Sequence, residues 1–400
     1  MKKKPNLSRS SAPLWTRSYT CLILSNALAT ISYTLLTCVL PLYVVEIGGN
    51  NAAAGWLAGA VTLVLMVSRP LAGAVIDHLE QRRVVLLGGL MMFCNAAAYF
   101  FADNILALGI LRIMNGISNA VFIVSSSTLI AGLVADSRLE DGIGYYRVTS
   151  SLSVAISPAI STLILTHWGF AGLFTVMSLL SLAGFSLLFG ITRRDCPPLS
   201  RPAAGKPKFS PAFSSFFEPA VLAPSFVTLF SYIATSSANN YLVAFGESRH
   251  FSSVSLFFLL NCLFMLLSRT LYAKLRCHLP ARLLVPLGMC LGAIAYFLIA
   301  NAVTPAAIWA AGVFSGIAEG AVTPTLNAMV FRLCRPERRG IATATFGVFN
   351  DLGTSLGAIL WGNISVQGGY SIVFSLAGGC CILGAMLSLF IISRSASRCN

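Results

Sequence analysis

Three ionisable side chains stand inside otherwise apolar runs: Arg112, Glu319 and Asp351. A charge at the middle of a membrane helix costs at least ~2.5 kcal/mol, so such residues are functional candidates by default. Glu319 is the strongest. It is flanked by Gly316 and Gly320 and stands 200 residues after Asn119. A carboxyl group so placed can take up and release a proton as its surroundings change, which is the chemistry of a coupling site. The plainer alternative is a static partner for Arg112 or for a hydroxyl. Asp351, beside Asn350 and Thr354, serves equally well as a second proton relay or as a hydrogen-bonding group between domains. Arg112 either takes part in coupling, binds an anionic group, or holds its helix to its neighbours.

These charges carry meaning only if the runs around them lie in lipid, and the composition says that they do. Hydrophobic residues make up 56% of the chain and charged residues 10%, with mean hydropathy +0.80. A soluble chain carries about 25% charged residues. Runs such as Val84 to Phe101 are unbroken by charge and do not alternate, so helices rather than a β-barrel are expected. The net charge of +14 does not point to nucleic acid, because the cations sit in the breaks between apolar runs without interleaved aromatics. Most of the eleven Cys fall inside apolar runs, with neither CxxC nor framework spacing, and read as small packing residues. The four His are scattered, so neither a metal site nor a cofactor is expected. The first apolar run, from about Tyr19 to Val45, continues well past Ala27-Leu28-Ala29. It reads as an uncleaved helix, not a signal peptide.

Twelve apolar segments are long enough to span, with approximate cores at 18–41, 54–75, 84–101, 105–133, 143–166, 169–191, 221–245, 252–273, 283–300, 305–331, 340–364 and 370–392. Of the 27 Lys and Arg, 23 fall at the termini and in the even-numbered loops. Only Arg249 lies in a loop on the other side, and Arg69, Arg112 and Arg269 lie in helices. Both termini are therefore expected in the cytoplasm of a multi-pass protein of the plasma (inner) membrane. The chain also repeats itself. Between Val67–Gly88 and Leu267–Gly288, 9 of 22 positions are identical, including Ser68-Arg69 against Ser268-Arg269. The expected organisation is a tail (1–17), a six-helix bundle (18–191), a Pro-rich linker (192–219), a second six-helix bundle (220–392) and a tail (393–400).

Three motifs resemble those of the major facilitator superfamily, and the resemblance covers essentially the whole chain. The loop after the second segment resembles the signature Gly-x-x-x-Asp-(Arg/Lys)-x-Gly-(Arg/Lys)-(Arg/Lys). Gly73, Asp77 and Arg82 fit it, while His78, Glu80 and Gln81 depart. Arg112-Ile113-Met114-Asn115-Gly116 is similar to Arg-x-x-Gln-Gly of helix 4, with Asn for Gln. Ser153, Ser157, Pro158 and Ser161 keep the spacing of the antiporter motif Gly-x-x-x-Gly-Pro-x-x-Gly, with Ser for each Gly. Small residues still allow close helix packing there. The type most resembled is the bacterial proton-coupled efflux permease for drugs and small metabolites. The resemblance implies an all-α fold of two pseudo-symmetric six-helix bundles. It also implies a conformational latch of Gly73, Asp77, Arg82 and Arg83 that docks near Arg339-Gly340; the plainer alternative is a solvated loop.

In that family helices 1, 4, 7 and 10 line a central cavity, and each has a polar stripe here. The stripes carry Asn26, Thr30 and Tyr33 on the first, and Asn115 and Asn119 on the fourth. Tyr232, Ser236, Asn239 and Asn240 mark the seventh, and Ser315 and Thr323 join Glu319 on the tenth. Singly, each such residue could simply bond helix to helix; four stripes together imply a shared aqueous cavity. The expected function is secondary active transport of a small organic solute, in the direction of efflux against protons. Uptake, or export of a metal-chelating metabolite, is the alternative, and a non-transporting receptor is a third. No nucleotide-binding or hydrolase motif supports an enzyme. A monomer is expected, with solute and protons as its only partners besides the bilayer.

Overall fold

The computed structural model describes residues 14–76, 80–134, 138–192, 218–251, 253–275, 281–334 and 338–396. The helices in chain order are α1 (Arg17–Leu35), α2 (Leu40–Glu46), α3 (Asn51–Ile76), α4 (Gln81–Ala98), α5 (Ile105–Leu133) and α6 (Leu139–Leu188). They continue as α7 (Leu222–Ser248), α8 (Ser255–Leu275), α9 (Ala281–Ala300), α10 (Pro305–Leu333) and α11 (Arg339–Ala396). No strand occurs among the described residues. Local chemistry sets the ends. Asn104 stands extended before α5, and its side chain accepts the N–H of Ala107 at 2.8 Å. Pro305 opens α10 after an extended Thr304, where its missing N–H costs nothing.

α6 and α11 are 50 and 58 residues long. At 1.5 Å per residue these are roughly 75 and 87 Å, well beyond a bilayer core of about 30 Å. Each is broken at a glycine of positive φ, Gly169 at 62° and Gly369 at 73°. A side chain there would meet the left-handed penalty that glycine escapes. α1 and α2 are bent by 45° relative to each other. Taking that pair as one rod, and α6 and α11 as two rods each, gives twelve rods among the described residues. By length and composition eight helices, or nine with the bent pair, could cross a membrane when α6 and α11 are each counted once.

The outer faces are apolar: Leu163, Leu383 and Met386 are each more than half exposed. With lipid outside, helices gain little from burying such groups against one another; small residues and hydrogen bonds join them instead. Ser153, Ser157 and Ser161 are buried where α6 meets α1. Thr34 Oγ1 donates to Ser157 Oγ at 2.5 Å, Ser157 donates to the Ser153 carbonyl at 2.7 Å, and Ser161 to that of Pro158 at 3.0 Å.

The duplication is visible in three dimensions. α5 and α10 begin and end 200 residues apart, as do the two break glycines. A Cβ on Gly116 would lie 2.8 Å from the Val61 carbonyl oxygen, and one on Gly316 would lie 2.4 Å from that of Asn261. Both pairs hold the same register at the same offset. α1–α6 form one half and α7–α11 the other, and α3 on α11, α6 on α8 and α2 on α7 join them. One hydrophobic cluster runs through both halves. Its members from the first half, such as Leu40, Tyr43, Leu57, Tyr99 and Leu108, lie at the end opposite the chain termini, here the far end. A second cluster at the terminus-bearing end, with Tyr19, Val85, Phe122, Leu129 and Leu188, belongs to the first half alone. The halves are thus clamped at the far end.

Candidate functional site

A cavity of about 310 Å³ lies between the halves, walled by α6 on one side and by α7, α8 and α10 on the other. Glu319 opens onto it, with Tyr232, Asn239 and Thr323. Each belongs to an expected stripe, on the seventh or tenth segment. Glu319 Oε1 accepts a hydrogen bond from Thr235 Oγ1 at 3.3 Å, and Tyr296 O–H donates to Thr235 Oγ1 at 3.4 Å. The carboxylate is therefore oriented from behind by two hydroxyls within the second half. α8 and α10 both start at the far end, and Arg269 and Glu319 are each the fifteenth residue of their helix. At 1.5 Å per residue both lie about 21 Å below the far end, level with one another on the cavity wall. Arg269 is the cation whose charge Glu319 feels, yet no ion pair joins them. Arg112, the static partner weighed from the sequence, is not that cation.

Asp351 is placed differently. Its Oδ2 pairs with Arg69 Nη1 at 2.5 Å, so α11 of one half is tied to α3 of the other. Arg69 and Asp351 keep 36% and 16% of their side-chain exposure. Tyr232 lies within electrostatic reach of Glu319, Asp351 and Arg269. Arg112 is only 2% exposed, inside the first half, and its Nε and Nη2 bond nothing. Its neighbours are Tyr33 and Tyr99, and Tyr33 in turn lies beside Asn119.

Other expected cavity residues serve contacts between or within helices. Asn26 donates to Ser150 at 2.8 Å, joining α1 to α6. Asn115 donates to Asn95 at 3.0 Å and to Tyr99 at 3.3 Å. Ser236 donates to the Thr354 carbonyl at 3.0 Å, and Asn240 donates back to the Ser236 carbonyl at 2.9 Å. Ser315 accepts from Asn261 at 3.1 Å. Thr30, half-buried on α1, gives its carbonyl to Thr34 at 2.8 Å. Of the latch residues, Asp77 lies outside the described residues, and Gly73 falls near the end of α3. Arg82 Nε donates to the Ile191 carbonyl at 2.8 Å and Arg83 Nε pairs with Glu80 at 2.9 Å, both within the first half.

Sequence reasoning placed Arg269 in a helix but gave it no role, and it overlooked Thr235 and Tyr296. The signal for Arg269 was present: it is the repeat mate of Arg69 in the duplicated Ser-Arg-x-Leu. Thr235 and Tyr296 carry no pattern that separates them from ordinary helix residues. At the far end a second space of about 670 Å³ lies between the halves, lined by Glu46, Asn51, Glu247 and Tyr370 among others. Asn51 donates to Tyr370 at 2.8 Å beside it. No group of His, Cys, Asp or Glu able to hold a metal occurs among the described residues.

Comparison with known proteins agrees with this architecture. The chain is 23% identical over 376 residues to the multi-drug resistance efflux pump PmrA of Streptococcus pneumoniae, covering 91% of this chain and 93% of that one. It is 23% identical over 358 residues to the staphylopine export protein of Staphylococcus aureus, covering 86% and 88%. Among solved structures, a bacterial homologue of the lysosomal transporter Spinster superposes with a TM-score of 0.75 at 16% identity, covering 96% of each chain. The nucleoside transporter NupG superposes with a TM-score of 0.74 at 14% identity, covering 94% of this chain and 99% of that one. The sequence profile of the Major Facilitator Superfamily matches residues 22–305 and 278–398. With two repeated helical halves around a cavity that Glu319 and Arg269 line, the chain belongs to the Major Facilitator Superfamily, whose members are multi-pass membrane transporters of small molecules and not enzymes.

Proposed function

We propose that this transporter exports a small organic solute in exchange for protons, with both chain termini in the cytoplasm. Glu319 carries the reading. It lines the central cavity near mid-helix, is oriented by Thr235, and has no ion-pair partner to hold it charged. An acid in that position couples two equilibria. Proton binding biases which arrangement of the halves is populated, and substrate entering the same cavity competes for that bias. The clamp at the far end and the positive-inside cation distribution support a cavity that faces the cytoplasm in this arrangement, ready to load an exported solute. A second reading, export of a metal-chelating metabolite, is favoured by the likeness to the staphylopine export protein.

The test uses proteoliposomes under an imposed proton gradient, supplied with a bacterial metabolite extract and read by mass spectrometry. The native protein is expected to concentrate at least one solute. Glu319→Gln keeps size and hydrogen bonding but cannot exchange a proton. It should equilibrate that solute across the membrane without concentrating it. Uphill accumulation by Glu319→Gln would show that Glu319 is structural and that Asp351 is the next residue to test.

A further inference from the structure

We propose that Arg269 is an anion-binding residue of the central cavity and that, with Glu319 on the same wall, it selects a zwitterionic solute. The anionic group docks on the guanidinium and a protonated amine lies at the carboxylate. The inference rests on the cavity being the transporter's substrate site.

The repeat supplies the first observation. Arg69 and Arg269 occupy one position in the two halves, on α3 and α8. α3 packs against α11 and α8 packs against α6, which are equivalent contacts under the same 200-residue offset. Arg69 has a carboxylate partner there, Asp351. Two hundred residues earlier stands Ser151, which lines the cavity with Arg269. A serine carries no charge, so Arg269 lacks the counter-ion that its repeat mate possesses. The second observation is that Arg269 Nε is buried and bonds nothing; Arg69 Nε is in the same state, but Arg69 has Asp351 on its Nη1. A buried donor without a partner is costly, and more so when it is charged. The third is that Glu319 lies at the same depth on the same cavity wall without pairing to Arg269. A cation and an acid that line one small cavity without pairing form a receptor for a ligand that carries both signs.

The guanidinium fork matches a carboxylate or phosphate bidentately, which an ammonium would not do as well. At about 310 Å³ the cavity is near the lower limit for small-molecule sites, so the solute is small. Val154, Phe258 and Met265 supply apolar wall around the two charges. Methionine adapts to varied shapes, so the charges rather than the body of the ligand set specificity.

The test measures binding to the purified full-length protein in lipid nanodiscs at neutral pH. The probes are phenylalanine, phenethylamine and hydrocinnamate, which share one aromatic body and carry both charges, the amine alone or the acid alone. Phenylalanine is expected to bind about tenfold or more tightly than either of the others. Arg269→Gln should weaken phenylalanine by about ten- to 100-fold, the range of a lost charged hydrogen bond, and leave phenethylamine unchanged. Ser151→Asp should do the same while leaving Arg269 in place, because it supplies the acid that Asp351 supplies to Arg69. Arg269→Lys should restore part of the preference. Equal or absent binding of all three probes overturns the inference, and so does an unchanged phenylalanine preference in Arg269→Gln and Ser151→Asp. If the preference is found but no flux occurs in proteoliposomes, the exporter reading fails and this one stands.

Discussion

Gly55→Ala should shift the protein away from the arrangement described here. Gly55 lies on α3 where α3 meets α11, and a Cβ there would fall 2.4 Å from the Ala358 carbonyl oxygen and 3.1 Å from Gly362 Cα. Ordinary contact begins at 3.4 Å, so the helices must part by about 1 Å at this level. Two hydrogen bonds sit beside the intrusion: Tyr241 O–H donates to the same Ala358 oxygen at 2.9 Å, and Ser355 donates to the Gly59 carbonyl at 2.9 Å. Overpacking of a tight site costs about 1–3 kcal/mol. The contact exists only while the far end is clamped, so that cost falls on one arrangement. A cost of 1–3 kcal/mol is about a five- to 150-fold change in the ratio of arrangements. The assay is a spin-label distance between Asp103→Cys and Asn301→Cys, exposed positions in far-end loops of the two halves, after replacement of the eleven native Cys. Gly55→Ala should raise a longer-distance population, and Gly347→Ala, whose added Cβ meets nothing within 4 Å, should not. An unchanged distance distribution in a folded Gly55→Ala protein would refute the reasoning that this contact closes the far end.

Arg112→Met should raise the thermal midpoint and lower transport, since a buried guanidinium with two unbonded nitrogens destabilises the fold and is retained for another reason; a lower midpoint would mean that Arg112 stabilises the first half. Asp351→Asn and Arg69→Gln should show a coupling of about 1 kcal/mol in a double-mutant cycle on the distance populations, small because Arg69 is 36% exposed and screened. Arg138→Cys should react with a membrane-impermeant thiol reagent only from the cytoplasmic side, and labelling from outside would overturn the orientation read from the cations.

Much of the fold was legible because lipid imposes a simple rule on sequence: long apolar runs, with small residues at contacts. The duplication was legible as well, and Gly169 and Gly369 hold its register in three dimensions. The division of labour among polar residues was not. Asn26, Asn115 and Ser236 lie on the expected stripes, yet each bonds a neighbouring helix. A stripe defines a face about 100° wide, and a helix between halves has neighbours on much of that face. Whether a side chain meets the cavity or the adjacent helix depends on rotations of tens of degrees that periodicity does not specify. Asp351 was ambiguous for a related reason. Its partner Arg69 is 282 positions away in sequence, on a helix of the other half, and no local pattern connects them.

The repeat also shows where chemistry departs from scaffold. In a duplicated chain each intramembrane charge has a counterpart position; Arg69 and Arg269 answer one another, while the other three charges face small or neutral residues: Asn119 for Glu319, Ser151 for Asp351, Gly312 for Arg112. Asn119 lies beside Tyr33 in the first half. A glutamate at 119 would put a second buried acid inside the first half, beside Tyr33, and proton uptake would no longer be confined to the cavity of Glu319. With asparagine at 119, Glu319 is the lone acid lining its cavity among the described residues. On the proposed function, one proton, one acid and one level cation, Arg269, make the simplest arrangement in which solute and proton can exclude each other: the symmetric frame then supplies two halves able to rock, and the asymmetric charges decide what the rocking is coupled to.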